Sequence, residues 1–306
     1  MLTLFTAPKP FAGHIGVIQR NALRSWVSLG RDVEVIVFGD EPGIAETCRE
    51  LRLRHEPELP RNEWGTPLVN YLFTKTQSVA RHDLLCYSNC DIVLPHRLLE
   101  LMKLASSRFQ QFLLAGRRWD LDVTEPLDFG KARWDEELQA AALRAQRQRP
   151  AWWIDFFAFR GMFFRNMPPF AVGRPAWDNW FIRNALAKQV PVLDVSKAIV
   201  AVHENHDYRH HPGGMKGVAE GAEAIQNRLL AGRHLATIDS CTYEITPGGQ
   251  VRRRGWRRHL GPLRFFWVRR ISPALNRLMD QTLSFRRLFG LRRTGWLGSV
   301  LRQRNS

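Results

Sequence analysis

Two side chains that could bind a divalent cation stand directly after a predicted buried strand. The run Leu84–Ser88 is mostly apolar, and Asn89, Cys90 and Asp91 follow it. A spacing of two residues places both side-chain oxygens on one side of an extended chain. Hard cations such as Mg²⁺ or Mn²⁺ bind such oxygens and complete their coordination with water or phosphate. Because Asp91 also precedes a predicted helix, a helix N-cap is the alternative interpretation.

A second carboxylate and a group of histidines could complete such a site. Asp178 lies in the sequence WDNW at the predicted start of a helix. It could act as a general base for an acceptor hydroxyl, or it could cap the helix. The segment HENHDYRHH begins at His203 and contains four of the ten histidines. His203 or His206 could complete a metal site, or both could belong to an exposed polar loop.

Polar residues follow two other predicted strands. Arg117, Arg118, Trp119 and Asp120 come after an apolar run, and Asp40 comes after the second predicted strand. Arginine can bind phosphate oxygens with two donors, and tryptophan can stack on a sugar or a base. A surface ion-pair cluster is the alternative for the first group. Asp40 could accept a hydrogen bond from a nucleobase edge or begin a turn.

Alternating strands and helices must position these side chains. The alternation predicts an α/β fold with a mostly parallel, Rossmann-like sheet and helices on both faces. Ligands of such sheets bind beyond the carboxyl ends of the strands. The predicted strands are Leu2–Thr6, Val33–Phe38, Arg52–His55, Leu84–Ser88, Phe112–Ala115, Ile154–Arg160, Val190–Val195 and Ala198–Val202. A helix is predicted from Trp177, another across Val218–Leu229, and a hairpin over Thr242–Gln250.

Several enzyme classes are disfavoured by missing motifs. The sequence contains no G-x-G-x-x-G after the first strand, no G-x-x-x-x-G-K-[ST] and no G-x-S-x-G. Dinucleotide oxidoreductases, P-loop NTPases and serine hydrolases are therefore disfavoured. The four cysteines have no C-x-x-C or zinc spacing, which predicts free thiols in a reducing compartment.

Positive charge is concentrated at one end of the chain. The 306 residues have a net charge of +16, and residues 251–306 contain 15 arginines, no lysine and one acidic residue. The body therefore has a net charge near zero. This asymmetry predicts a domain over residues 1–250 and a basic, α-helical, amphipathic tail over residues 251–306.

Aromatic and basic side chains alternate in this tail. Arg264, Trp267, Arg269 and Arg270 are typical of a segment that binds an anionic membrane surface. An arm that packs on the body or on a partner is the alternative. Nucleic acid is disfavoured as a partner because no recognised binding module accompanies the arginines.

The amino-terminal segment lacks the features of a secretion signal. It has neither a basic start nor a long apolar stretch, and no run of roughly 20 apolar residues occurs anywhere. We therefore expect a cytoplasmic protein, with peripheral association at the inner face of the cytoplasmic membrane through the tail.

The order of these segments resembles nucleotide-sugar glycosyltransferases of the GT-A fold, of the family-two-like bacterial type. The resemblance covers residues 1–245 and rests on the segments TAPKPF, IQRNALRSW, VEVIVFGDEPG, NEWGTPL, YSNCDI, LLAGRRWDLD, PPFAVGRPAWDNW and VHENHDY. It implies transfer of a sugar from a UDP- or GDP-linked donor to a hydroxyl of a glycan or glycolipid, with inversion and with Mn²⁺ or Mg²⁺ as cofactor.

The resemblance also implies roles for individual residues. Asp91 would bind the metal in the place of a D-x-D motif, from which the sequence departs at Asn89, and His203 or His206 would reach the same ion. Asp178 would be the catalytic base. The residues expected to bind the donor are Thr6, Lys9, Asp40, Gly65, Thr66, Asn89, Arg117, Trp119 and Asp120.

Two other functions remain as alternatives. A nucleotidyltransferase shares the sheet and the use of metal, but it would release pyrophosphate instead of a nucleoside diphosphate. A non-catalytic adaptor on the same fold would bind a membrane or nucleic acid through its tail and would not bind a donor.

Overall fold

A computed structural model describes residues 1–206 and 213–255 of the chain. The chain divides into two units, Met1–Pro262 and Leu263–Ser306. The tail residues predicted to meet a membrane, Arg264, Trp267, Arg269 and Arg270, lie outside the described residues. Within the described ranges, no helix is both long and apolar enough to cross a bilayer.

Two sheets contain the strands of the described residues. The strands are β1 (Leu2–Thr6), β2 (Val33–Phe38), β3 (Arg54–Glu56), β4 (Leu84–Ser88), β5 (Ile92–Val93), β6 (Phe112–Ala115), β7 (Arg118–Leu121), β8 (Phe156–Arg160), β9 (Val192–Asp194), β10 (Ala201–Glu204), β11 (Tyr243–Ile245) and β12 (Val251–Arg253). The larger sheet has the order β12-β11-β9-β6-β8-β4-β1-β2-β3, and the smaller has the order β5-β10-β7. In the larger sheet β8 is antiparallel to both of its neighbours and β12 is antiparallel to β11, while the other pairs are parallel.

Helices cover both faces of the larger sheet. They are α1 (Gly13–Ser28), α2 (Ile44–Leu51), α3 (Val69–Val79), α4 (Arg97–Arg108), α5 (Trp134–Ala145), α6 (Trp177–Ala187), α7 (Gly214–Glu220) and α8 (Ala222–Ala231). Side chains alternate between the faces of a strand. Leu4 therefore packs in one core cluster with Trp26 of α1, whereas the Phe5 ring lies 5.1 Å from that of Phe73 on α3. The predicted α/β class, with a mostly parallel sheet between two layers of helices, is confirmed.

Four predicted strands, β1, β2, β4 and β6, have the bounds read from their apolar runs.

The region around Gly221 differs from the prediction, because the single helix predicted there is divided into α7 and α8. A Cβ atom at Gly221 would clash with the carbonyl oxygen of Gly217, so only glycine permits this close approach.

The first residues of the predicted tail belong to the larger sheet. Val251–Arg253 pairs with β11, and the guanidinium of Arg254 forms an ion pair with Asp194, the last residue of β9. A truncation after residue 250 would therefore remove an edge strand and a cation from the folded body. A truncation that isolates the role of the tail has to begin after Pro262.

Candidate functional site

The smaller sheet brings together side chains that are far apart in sequence. His203 of β10 is opposite Ile92 of β5 on one side and opposite Asp120 of β7 on the other. The amide of Glu204 donates a hydrogen bond to the carbonyl of Asp91 at 3.0 Å. This pairing places Asp91, His203 and Asp120 next to one another, because neighbouring strands lie about 4.8 Å apart.

Three of the predicted metal ligands form a cluster. The ligand atoms of Asp91, His203 and His206 all lie within 4.8 Å of one another. Asp91 Oδ2 lies 3.2 Å from His206 Nε2 and 3.7 Å from His203 Nε2. Asp91 Oδ1 is buried and has no hydrogen-bond partner among the described residues. A buried carboxylate oxygen without a partner is costly unless something binds it, so this cluster fits a divalent cation.

The charges around Asp91 keep its carboxyl ionised. Burial by itself would raise the pKa of Asp91, but His203, His206 and Lys9 together hold it well below its usual range. Burial lowers the pKa of the Lys9 ammonium, and Arg174 lowers it further, while Asp91 raises it. The side-chain amide of Gln19 fixes the backbone of Lys9 with two hydrogen bonds, of 2.7 and 2.9 Å. A positioned cation therefore lies beside the candidate metal site, where it could contact a phosphate.

The donor atoms of the cluster indicate which cation would fit. One carboxylate and two imidazoles suit a transition ion, whereas Mg²⁺ prefers oxygen ligands alone. Of the two cofactors expected from the sequence, the residues present therefore fit Mn²⁺ better than Mg²⁺.

Asn89 is turned away from this cluster. Its Oδ1 accepts a hydrogen bond from the Tyr87 hydroxyl at 2.9 Å, and its Nδ2 donates to Asp155 Oδ1 at 2.8 Å. Position 89 needs a hydrogen-bond acceptor for Tyr87 and a donor for Asp155. An amide supplies both, and an ionised carboxylate supplies only acceptors. The departure from D-x-D at this position therefore has a structural reason, and Asn89 positions Asp155 instead of joining the metal ligands.

The substitution Asn89→Asp, which restores a D-x-D motif, is expected to destabilise the protein by about 1–3 kcal/mol at pH 7 without strengthening Mn²⁺ binding. It would place two carboxylates at hydrogen-bonding distance and remove a donor. Urea unfolding and Mn²⁺ titration measure the two effects. Asn89→Ala is the control, because it removes the hydrogen bonds without adding charge. Tighter Mn²⁺ binding by Asn89→Asp would contradict this assignment.

Asp178 lies in the first turn of α6 and does not cap it. The N-cap is Ala176, which has a left-handed backbone with φ of 86° and offers no side-chain cap. Asp178 Oδ1 has no hydrogen-bond partner among the described residues. Burial raises the pKa of Asp178 to about 7, although backbone N–H groups of the first turn lower it, and Asp155 raises it further. A carboxyl with a pKa near neutrality is suited to proton transfer.

Arg117, Trp119 and Asp120 do not form the single group expected from the sequence. Arg117 forms an ion pair with Asp239 at 3.2 Å. Trp119 packs in a hydrophobic cluster with Trp134 of α5, whereas Asp120 lies beside His203. Trp119 and Asp120 belong to β7, and the alternation of a strand sends them to opposite faces. Only Asp120 therefore lies beside the candidate metal ligands.

The residues expected around the nucleoside lie at the carboxyl ends of β1, β2 and β3. Thr6 is the last residue of β1, and its buried hydroxyl has no hydrogen-bond partner in the described part of the chain. Asp40 is exposed and forms an ion pair with Arg61 at 3.0 Å. Arg61 also donates to the carbonyl of Gly65 at 3.0 Å, and Thr66 follows in the same loop. The structure thus brings Asp40, Gly65 and Thr66 together, while their contact with a nucleoside remains a prediction.

Sequence reasoning missed charged residues that surround this site. Arg118 was considered only for phosphate binding or a surface ion-pair cluster, whereas it forms buried ion pairs with Asp120 at 3.1 Å and Asp155 at 2.9 Å. Arg174 forms a buried ion pair with Glu223 of α8 at 2.6 Å. Ion pairs between distant segments leave no local pattern in the sequence. The signal that could have indicated these arginines was a charged residue in an otherwise apolar segment.

No protein-family model matches the sequence, and no curated protein matches it either. The chain is similar to solved structures of glycosyl-transferring proteins at low identity. Glucosyl-3-phosphoglycerate synthase from Mycobacterium tuberculosis has 13% identity and a TM-score of 0.43, over 74% of this chain and 77% of that one. The same synthase in complex with Mn²⁺, UDP and glucosyl-3-phosphoglycerate has 14% identity and a TM-score of 0.40, over 67% and 72%. Residues 1–349 of S. aureus TarS have 11% identity and a TM-score of 0.42, over 66% and 60%. These values are too low to assign an activity, so the function proposed below rests on the residues already described.

Proposed function

We propose that this protein transfers a sugar from a nucleoside-diphosphate sugar to a hydroxyl of a glycan or glycolipid, with the help of a divalent cation. The cluster of Asp91, His203 and His206 beside Lys9 is the observation on which the proposal depends. β1 and β4 are parallel neighbours, so Lys9 after β1 and Asp91 after β4 lie at the same edge of the sheet. Ligands of α/β sheets bind at this edge.

The donor would be held through its phosphates and its nucleoside. Lys9 would contact the diphosphate as a positioned cation. A divalent cation at Asp91, His203 and His206 would neutralise the charge that develops on the departing diphosphate. The nucleoside would lie towards Asp40, Gly65 and Thr66, with UDP or GDP as the leaving group.

Asp178 would be the general base of an inverting reaction. Its carboxylate would take the proton of the acceptor hydroxyl while the hydroxyl oxygen bonds to the anomeric carbon of the sugar. The bond between that carbon and the diphosphate oxygen breaks in the same step, and the products are the glycosylated acceptor and a nucleoside diphosphate. The negative charge that proton removal would leave on the acceptor oxygen is thereby transferred to the departing nucleoside diphosphate.

A thermal-shift screen of nucleoside diphosphates, with and without Mn²⁺, tests this proposal. We expect stabilisation by UDP or GDP that depends on Mn²⁺, since a ligand that binds the folded state raises the unfolding temperature. Incubation with the matching nucleotide sugar should release the nucleoside diphosphate. Release of pyrophosphate from a nucleoside triphosphate would indicate a nucleotidyltransferase instead. Absence of any metal-dependent stabilisation would refute the proposal.

The basic tail would hold the protein at an anionic membrane surface. Replacement of Arg264, Trp267, Arg269 and Arg270 by alanine is expected to weaken binding to phosphatidylserine vesicles by roughly 100-fold, because each arginine near such a surface contributes about 1 kcal/mol. Co-sedimentation with vesicles measures the change, and vesicles of neutral lipid are the control. Deletion of residues 263–306 should also abolish sedimentation while UDP binding persists. Unchanged sedimentation of either variant would exclude the tail as the anchor.

A further inference from the structure

His203 is held between two carboxylates in the smaller sheet. Its Nε2 faces Asp91 Oδ2 at 3.7 Å, and its Nδ1 lies 3.4 Å from Asp120 Oδ1. The parallel register of β7 and β10 places His203 directly opposite Asp120. His203 is 5% exposed, so few other orientations of the imidazole ring are open to it.

Asp120 is in turn fixed by two arginines. Arg118 Nε lies 3.1 Å from its Oδ1, and Arg149 Nε lies 2.5 Å from its Oδ2. Both guanidinium groups stack over the ring of Trp153, at 4.9 and 4.8 Å from its centroid. Asp120 is only 2% exposed, so this carboxylate is enclosed by protein groups and cannot contact a donor sugar directly.

We propose that Asp120 is a positioning residue for the metal site, which acts through His203. The buried His203 Nδ1 makes no hydrogen bond among the described residues, and Asp120 Oδ1 lies 3.4 Å from it. With the cation bound, this carboxylate would accept the Nδ1–H of the imidazole and would thereby leave the lone pair of Nε2 free for the cation. A carboxylate or carbonyl behind a metal-binding histidine fixes the tautomer and ring orientation in this way. The inference rests on the proposed function for the presence of the cation, and it replaces donor binding as the role expected for Asp120.

Mn²⁺ titration of the full-length protein, followed by the electron paramagnetic resonance signal of free Mn²⁺, tests the inference. Asp120→Asn is expected to weaken Mn²⁺ binding by about 10- to 100-fold. Asp135→Asn is the matched control, because Asp135 contacts His96 Nδ1 at 2.9 Å in an equivalent pair that is not part of the cluster. Asp135→Asn should leave the affinity for Mn²⁺ unchanged.

A double-mutant cycle distinguishes positioning from a general loss of stability. If Asp120 acts through His203, Asp120→Asn should cause no further loss of Mn²⁺ affinity in a His203→Gln background. Additive losses in the double variant would overturn the inference. Equal Mn²⁺ affinity of the wild-type protein and Asp120→Asn would also overturn the inference. This outcome would leave the proposed function intact. Failure of the wild-type protein to bind Mn²⁺ would instead refute the metal site itself.

Nitrogen-15 NMR of the histidines reports the tautomer of His203 in the wild-type protein, without substitution of Asp120. In the metal-free wild-type protein labelled at histidine, we expect the neutral His203 ring to carry its proton on Nδ1. The spectrum of His203→Gln assigns the resonances. A neutral ring protonated on Nε2 would show that Asp120 does not select the tautomer and would overturn the inference.

Discussion

Asp178→Asn is expected to lower the turnover of the sugar-transfer reaction by roughly two orders of magnitude or more, while the protein remains folded. The substitution conserves the shape of the side chain but removes its ability to take a proton. Donor binding should persist, because the cluster that would hold the cation consists of Asp91, His203 and His206 and does not include Asp178. Steady-state kinetics with a nucleotide sugar and isothermal titration with UDP and Mn²⁺ measure the two properties separately.

The pH dependence provides a second signature of Asp178. Because the base must be ionised and burial raises the pKa of Asp178 to about 7, the rate should increase as the pH rises through about 7. Stability should change in the opposite direction. A folded-state pKa above the unfolded value means that the folded protein holds the proton more tightly, so this group loses its stabilising contribution between about pH 4 and pH 7.

Asp178→Asn should therefore be more stable than the wild-type protein at pH 8, by at least about 1 kcal/mol, because it removes a buried charge. The difference should disappear below about pH 3, where the wild-type carboxyl is protonated in both the folded and the unfolded state. Urea unfolding at the two pH values measures it. Near-normal turnover of Asp178→Asn would show that another group is the base.

Asp91→Asn is expected to weaken Mn²⁺ binding by at least about 100-fold and to lower turnover by a comparable factor. An amide keeps the size of the side chain but supplies a weaker, uncharged ligand between His203 and His206. Mn²⁺-dependent stabilisation by UDP should vanish in a thermal-shift measurement.

Asp128→Asn is the control for Asp91→Asn. Asp128 is exposed and caps a turn by accepting a hydrogen bond from Gly130 at 3.0 Å, so its substitution removes one charge without touching the cluster. Mn²⁺ affinity and turnover should remain at wild-type values in this variant. Retention of metal-dependent UDP binding by Asp91→Asn would mean that the cation is held elsewhere.

Local patterns in the sequence predicted four strands of the first half with their bounds, together with the polar residues that follow them. Apolar runs bounded by polar residues gave the limits of β1, β2, β4 and β6, because burial of a central strand requires a continuous apolar stretch. The position of Asp91 at the end of β4 followed from the same local pattern. Strong charge asymmetry likewise separated a nearly neutral body from a basic tail.

Contacts between residues that are far apart in sequence follow from the pairing of the strands in the folded protein. His203 lies against Asp91 and Asp120 because β5, β10 and β7 pair, and two of these strands were not recognised in the sequence. Asn89 faces away from the metal ligands because it donates to Asp155, which is 66 residues away in the sequence. The alternation of β7 turned Trp119 away from Asp120. Local patterns report whether a residue is buried, but pairing between strands depends on contacts across the whole chain, which no local pattern contains.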